Sequence, residues 1–330
     1  MSATQKLRFC SAAALVSLAI AMVVGGGAWR PAPIGLADAG PIVGWGVPML
    51  ALLSTGLGTF TVGWTGAAAW LQRPTKSGAL TSVASADLRI ASRLAATWMV
   101  VAIAGWWFSV ADIAGFSLAQ VLQPSVLAVY GLAGSASQLY LLVALLTMII
   151  WLTATKASDR GAAVALAVLA LATVSLPAFG GHSHAAGNRA VAVLSAVTHA
   201  AAAAAWVGGL AAFYVWLARD VTRVRDKAEA FGRLALVCVI ALAATGVLNA
   251  SVHLAQPTML FTTGYGRLVV VKALLMIVLV GIAAPIRSRI VPRLAAAAGR
   301  GLFAKMVLGE LFVMSVALGV GIALSQTPSP

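Results

Sequence analysis

Charge is what this sequence has least of. Only 9% of its 330 residues are Asp, Glu, Lys or Arg, where a water-soluble domain carries roughly 25%. So few charges cannot cover a water-facing surface, which excludes a soluble globular protein. Acid is scarcer than base, with eight Asp and Glu against 22 Lys and Arg. The two cysteines, Cys10 and Cys238, are too few and too far apart for a disulfide framework. Ser-His-Asp and metalloprotease spacings are also missing, and Asp112 is the one carboxylate expected near the level of the histidines, so a hydrolytic enzyme is not expected.

What is present is apolar: 61% of the residues are hydrophobic. They fall into nine runs, at about 9–29, 47–71, 94–116, 139–155, 162–179, 190–217, 234–253, 268–286 and 306–325. A helix needs about 20 apolar residues to cross the hydrocarbon core, and each run reaches or approaches that length. The fold class expected is therefore all-α, a polytopic membrane helix bundle of about nine transmembrane helices. The first run is longer than the apolar part of a secretion signal and has no small-residue cleavage site after it, so it reads as a span.

The net charge of +14 does not point to nucleic acid, because the basic residues sit between apolar runs instead of forming a patch with aromatics. On one side lie Lys6, Arg8, Arg73, Lys76, Arg89, Arg93, Lys156, Arg160, Arg219, Arg223, Arg225, Lys227, Arg233, Arg287, Arg289, Arg293, Arg300 and Lys305. The other side holds only Arg30, Arg189, Arg267 and Lys272. The positive-inside rule puts the N-terminus in the cytoplasm and the C-terminus outside. Cys10 and Cys238 then fall near cytoplasmic ends, where thiols stay reduced.

All four histidines are drawn to the outer side. His182 and His184 precede the sixth run, and their x-spacing in an extended segment points both rings one way. His199 lies 20 residues before Arg219, and His253 lies 20 residues after Arg233. Counted from those charges, His199 and His253 share a height at the outer boundary on consecutive antiparallel helices. A lone membrane histidine is ordinarily just hydrogen-bonded, but four on one face form a candidate metal set. Imidazole suits copper, zinc, iron and nickel, and a thioether would tip the choice to copper. Met259, in the outside loop after His253, is the methionine placed for that; Met49 lies near an outer end, and Met276 and Met314 fall in mid-membrane.

Two charges lie within spans. Glu310 sits near the cytoplasmic side and is the candidate coupling or structural acid. Lys272 sits toward the outside, where its long stem can snorkel to the interface. The two differ in height by on the order of 15 Å and are not expected to pair. Asp112 and Asn249 are lesser polar candidates. One rival reading is a haem-binding, cytochrome-like membrane protein with His199 and His253 as axial ligands. Another is a structural or assembly subunit without a ligand.

Several short motifs occur in a fixed order: His199-x6-Trp206-x-Gly208-Gly209, Phe231-x-Arg233, Thr245-Gly246-Val247, Tyr265-Gly266-Arg267 followed by Lys272, and then Glu310. This order, over roughly residues 180 to 325, resembles the copper resistance D (CopD) family of bacterial inner-membrane proteins. The resemblance implies a multi-pass inner-membrane protein of copper transport and homeostasis, moving copper from the periplasmic side toward the cytoplasm. A small periplasmic copper-binding partner often accompanies the family. Carried onto this chain, the resemblance gives His199, and with it His253, a copper role. It divides the chain into residues 1–160, the first four spans, and residues 161–330, a copper domain of spans five to nine.

Overall fold

Inside a bilayer a backbone must satisfy its own hydrogen bonds, and a single chain of apolar runs can do so only as helices. A computed structural model of the chain describes residues 3–33, 35–71, 75, 78–180, 189–254, 256–285 and 297–328. Among the described residues nine long helices follow one another: α1 (Ala3–Gly25), α2 (Pro41–Trp70), α3 (Ser82–Ala114), α4 (Ser135–Ala154), α5 (Arg160–Ser175), α6 (Arg189–Arg219), α7 (Val221–His253), α8 (Gly264–Pro285) and α9 (Ala297–Gln326). Eight are long and apolar enough to cross a membrane, α5 together with the 3-10 turn Leu176–Phe179 that continues it; the apolar part of α1, Phe9–Gly25, is shorter. No strand occurs among the described residues, only an isolated bridge between Ala79 and Asp159. The all-α polytopic bundle expected from the sequence is what is observed.

Helices α3 and α7 outrun their apolar runs at their N-terminal ends. Helix α3 begins at Ser82, capped by the Thr81 hydroxyl, which accepts from the Ala84 amide at 3.2 Å. Helix α7 begins at Val221, where the Asp220 carboxylate accepts from the Arg223 amide at 3.2 Å. Its first turns are strongly charged, and Glu229 meets Arg233 four residues on at 2.9 Å. Hydropathy stops at the first charges. Helical backbone does not, because caps and charge pairs one turn apart sustain it.

Two groups of helices can be traced by their packing. Helix α2 packs on α3, α5 and α6, α3 packs on α4, and α6 packs along α7. In the second group α1 lies along α9, and α9 along α8. Phe9 stacks on Phe312 at 5.7 Å, the Ser17 hydroxyl donates to the Val316 carbonyl at 3.2 Å, and Gly25 faces Thr327, so α1 and α9 run parallel. The groups meet chiefly where α9 crosses α6 and α2, while α7 and α8 touch only sparingly. One hydrophobic core spans the boundary, with Trp64, Ala91, Trp206, Tyr214, Cys238, Val307 and Met314 all buried in it.

Two contacts fix α6, the helix that carries His199. At Gly63 and Gly208 the backbones of α2 and α6 touch: a Cβ on Gly208 would strike the Thr59 carbonyl, and one on Gly63 would strike the Gly208 carbonyl. Small residues allow such close approach between membrane helices. At the end of α6, Asp87 is completely buried and accepts hydrogen bonds from Trp216 Nε1 at 3.1 Å and Arg219 Nη1 at 3.0 Å.

The outer connections are short and pinned. The Asp38 carboxylate accepts from the Gly40 amide at 2.8 Å, the Ala32 amide at 3.2 Å and Trp29 Nε1 at 3.3 Å. After α3, the segment of short helices Leu118–Val121 and Pro124–Tyr130 is held by Trp107 donating to the Leu118 carbonyl and Trp106 to the Gly131 carbonyl.

Candidate functional site

Helix α7 presents Thr245, Asn249 and His253 at steps of four residues, which places them on one face. Helix α6 runs antiparallel against it. His199 Nδ1 lies 2.9 Å from Thr245 Oγ1, and one turn earlier on α6 the Ser195 hydroxyl donates to the Thr245 carbonyl at 3.3 Å. Thr245 also donates its hydroxyl to the Ala241 carbonyl at 2.6 Å.

The heights of His199 and His253 differ from the sequence expectation. His199 is level with Thr245, whereas His253 lies eight residues, or about 12 Å, further along α7. The reason lies in the two charges used as rulers. Only Asp220 separates α6 from α7, so Arg219 stands at the very end of α6 while Arg233 stands twelve residues, or about 18 Å, up α7. Equal counts from unequal starting levels give unequal heights. This spacing does not fit the haem alternative, since two axial imidazoles must meet at one iron, each about 2 Å from it.

At the outer rim His253 packs its ring on Tyr265, edge to face, with centroids 5.6 Å apart. Met259 begins the short helix Met259–Thr262, and a Cβ on the neighbouring Gly266 would strike the Met259 carbonyl. His253 and Met259 thus both flank the first turn of α8. His182 and His184 lie outside the described residues.

Below the rim, Lys272 reaches inward. Its Nζ lies 3.5 Å from the point where a Cβ on Gly321 would stand, so the side chain crosses to α9. The missing side chain at Gly321 leaves room for it there. Lys272 is within electrostatic reach of His199. Glu310 is 3% exposed, eleven residues or about 16 Å below Gly321 on α9. Asn249 is partly buried, and Asp112 lies apart on α3.

Polar side chains thus recur at successive levels along α6, α7, α8 and α9. His253 and Tyr265 are at the rim, with Asn249 one turn in. His199, Thr245 and Lys272 come next, and Glu310 lies deepest. Among the described residues no three His, Cys, Asp or Glu side chains gather into a metal-sized cluster. Cys10 and Cys238 are both buried and free in the core. Such an arrangement offers single imidazole donors at separate depths, in contrast to a closed multi-ligand cage.

Residues 226–324 match the family model CopD, copper resistance protein D. The match covers the C-terminal helices, less than a third of the chain. The matched CopD segment runs from the start of α7 into α9 and includes Thr245, His253, Met259, Lys272 and Glu310. His199 and the Trp206-x-Gly208-Gly209 motif on α6 lie outside it. Both glycines of that motif have a packing role: Gly208 admits α2, and a Cβ on Gly209 would come within 2.6 Å of Phe231, whose ring stacks on Phe213. No curated protein and no solved structure matches the chain. With eight helices long and apolar enough to cross a membrane, the chain is a multi-pass membrane protein.

Thr245 and Tyr265 enter the sequence reading only as members of short motifs, and Ser195 and Asp87 not at all. The spacing of Thr245, Asn249 and His253 was the available signal, since four-residue steps mark one helical face. Nothing in the sequence paired Asp87 with Arg219 across 132 positions.

Proposed function

We propose that this protein takes up copper from the outer side of the bacterial inner membrane and passes it toward the cytoplasm, with His253 and Met259 at the rim and His199 as the principal donor within the membrane. The observation that carries the reading is the His199–Thr245 contact, an imidazole held between two helices with further polar groups above and below it. Imidazole and thioether donors together favour copper among the divalent and monovalent first-row metals. Single donors at separate depths suit a transported ion, which must be bound weakly enough to leave each station.

Glu310 is the charge-balancing acid on the inner half of the route. Lys272 faces the same interior, and its positive charge opposes occupancy by a cation and so keeps it transient. His182 and His184, outside the described residues, are proposed as the first capture point, where a small periplasmic copper-binding protein would deliver the ion. The residues 161–330 act as the copper unit, and helices of residues 1–160 hold α6 in place.

The test is cellular copper accumulation by full-length protein carrying His199→Ala, His253→Ala or both, with membrane levels matched to wild type. Uptake should fall strongly for His199→Ala and partially for His253→Ala. Accumulation unchanged in the double variant would reject the route. Accumulation that rises instead would reverse the proposed direction.

A further inference from the structure

We infer that Thr245 is the positioning residue for His199: its hydroxyl fixes the imidazole in the tautomer with hydrogen on Nδ1 and leaves Nε2 as the metal donor. This rests on the copper reading above.

A threonine hydroxyl has a single hydrogen to give and two lone pairs to accept with. Thr245 Oγ1 lies 2.6 Å from the Ala241 carbonyl, a short O–H···O distance, with the Leu242 carbonyl a lesser partner at 3.3 Å. Carbonyl oxygens only accept, so the hydrogen is directed to Ala241. The ring nitrogen of His199 at 2.9 Å must then donate to Oγ1. A neutral imidazole carries one N–H, so with hydrogen on Nδ1 the lone pair is on Nε2.

That is the form a metal requires. Ligating histidines commonly give their other N–H to a protein acceptor, which selects the tautomer and orients the ring. In water a neutral imidazole favours hydrogen on Nε2, so without the threonine the donor atom would be blocked more often. The framework around the contact is tied as well: Ser195 donates to the Thr245 carbonyl, so α6 and α7 are joined on both sides of one peptide. Thr245 does not touch the ion in this scheme; it acts through His199.

The experiment uses full-length protein with 15N-labelled histidine in lipid bilayers, read by solid-state NMR at neutral pH. The His199 signals are assigned by their loss in His199→Gln. Wild type should show a protonated Nδ1 and an unprotonated Nε2 at His199. Thr245→Val, close to threonine in shape, should shift the ring toward hydrogen on Nε2, and Thr245→Ser should keep the wild-type pattern. In competition with a chromophoric Cu(I) chelator, Thr245→Val should bind Cu(I) about 10- to 100-fold more weakly, with the serine variant near wild type. Hydrogen on Nε2 in wild type, or no change of tautomer in Thr245→Val, overturns the inference while leaving the dependence of copper on His199 to stand. Cu(I) affinity that is the same in His199→Gln as in wild type overturns the copper reading itself.

Discussion

Asp87 on α3, with no exposed surface, is bound by Arg219 on α6 at 3.0 Å, and the arginine side chain remains 40% exposed. The pair ties a helix of the N-terminal half to the helix that carries His199, and Trp216 adds a second hydrogen bond to the same carboxylate. The two partners are unequal. Asp87 has no route to water, whereas Arg219 can turn toward it.

That inequality predicts which substitution is worse. Arg219→Ala strands a buried carboxylate and should cost about 3–5 kcal/mol of stability, the range for breaking a buried pair from one side. Asp87→Ala frees an arginine that solvent can reach and should cost roughly half as much, mainly through the lost hydrogen bonds. Thermal unfolding of the detergent-solubilised variants checks the order. Equal losses would mean that the carboxylate is not the enclosed partner.

The glycine crossing of α2 and α6 makes a second prediction. Gly208→Ala drives a methyl into the Thr59 carbonyl and should destabilise the fold by about 1–3 kcal/mol, as overpacking does. Gly66, one turn from the crossing, has open space where a Cβ would stand. Gly66→Ala should be neutral or stabilising by about 0.5–1 kcal/mol, because alanine loses less backbone freedom in a helix. Midpoints of thermal aggregation for the two single variants provide the comparison.

Lys272 lies within electrostatic reach of His199, and a copper ion held by that imidazole would carry charge of the same sign; two such charges about 8–16 Å apart repel by on the order of 1–2 kcal/mol at the effective dielectric of protein sites. Lys272→Gln should therefore tighten Cu(I) binding by about ten-fold, with Lys272→Arg near wild type. If the ion is passed on, tighter holding slows transport, so copper accumulation should fall as affinity rises. A weaker affinity in Lys272→Gln would show that the amine contributes to binding.

The outer connection between α1 and α2 should respond to acid. Hydrogen bonds from the Gly40 amide first, and then from Ala32 and Trp29, hold the Asp38 carboxyl below its ordinary range. A depressed native value means that the carboxylate stabilises the connection at any pH above the unfolded value of about 3.9. That stabilisation disappears as pH falls through the native value. Pepsin cleavage within residues 26–40 of the reconstituted protein should rise over that acid window. In Asp38→Ala the site should be cut equally across the window.

Much of this molecule is written in its hydropathy. Among the described residues each apolar run became a helix, since a bilayer permits hardly any other solution for such segments, and the loop arginines and lysines point to a direction for each. The helix ends were less legible: the capped, charged turns at Ser82 and Val221 are helical although they are not apolar. Which side chains meet was not encoded locally at all. Register between neighbouring helices follows from how their surfaces interlock, so the contact of Gly208 with α2 and the short α6–α7 turn put His199 beside Thr245 and left His253 two turns above it. A count along one chain measures distance from its own loop; only packing brings two such counts to a common origin.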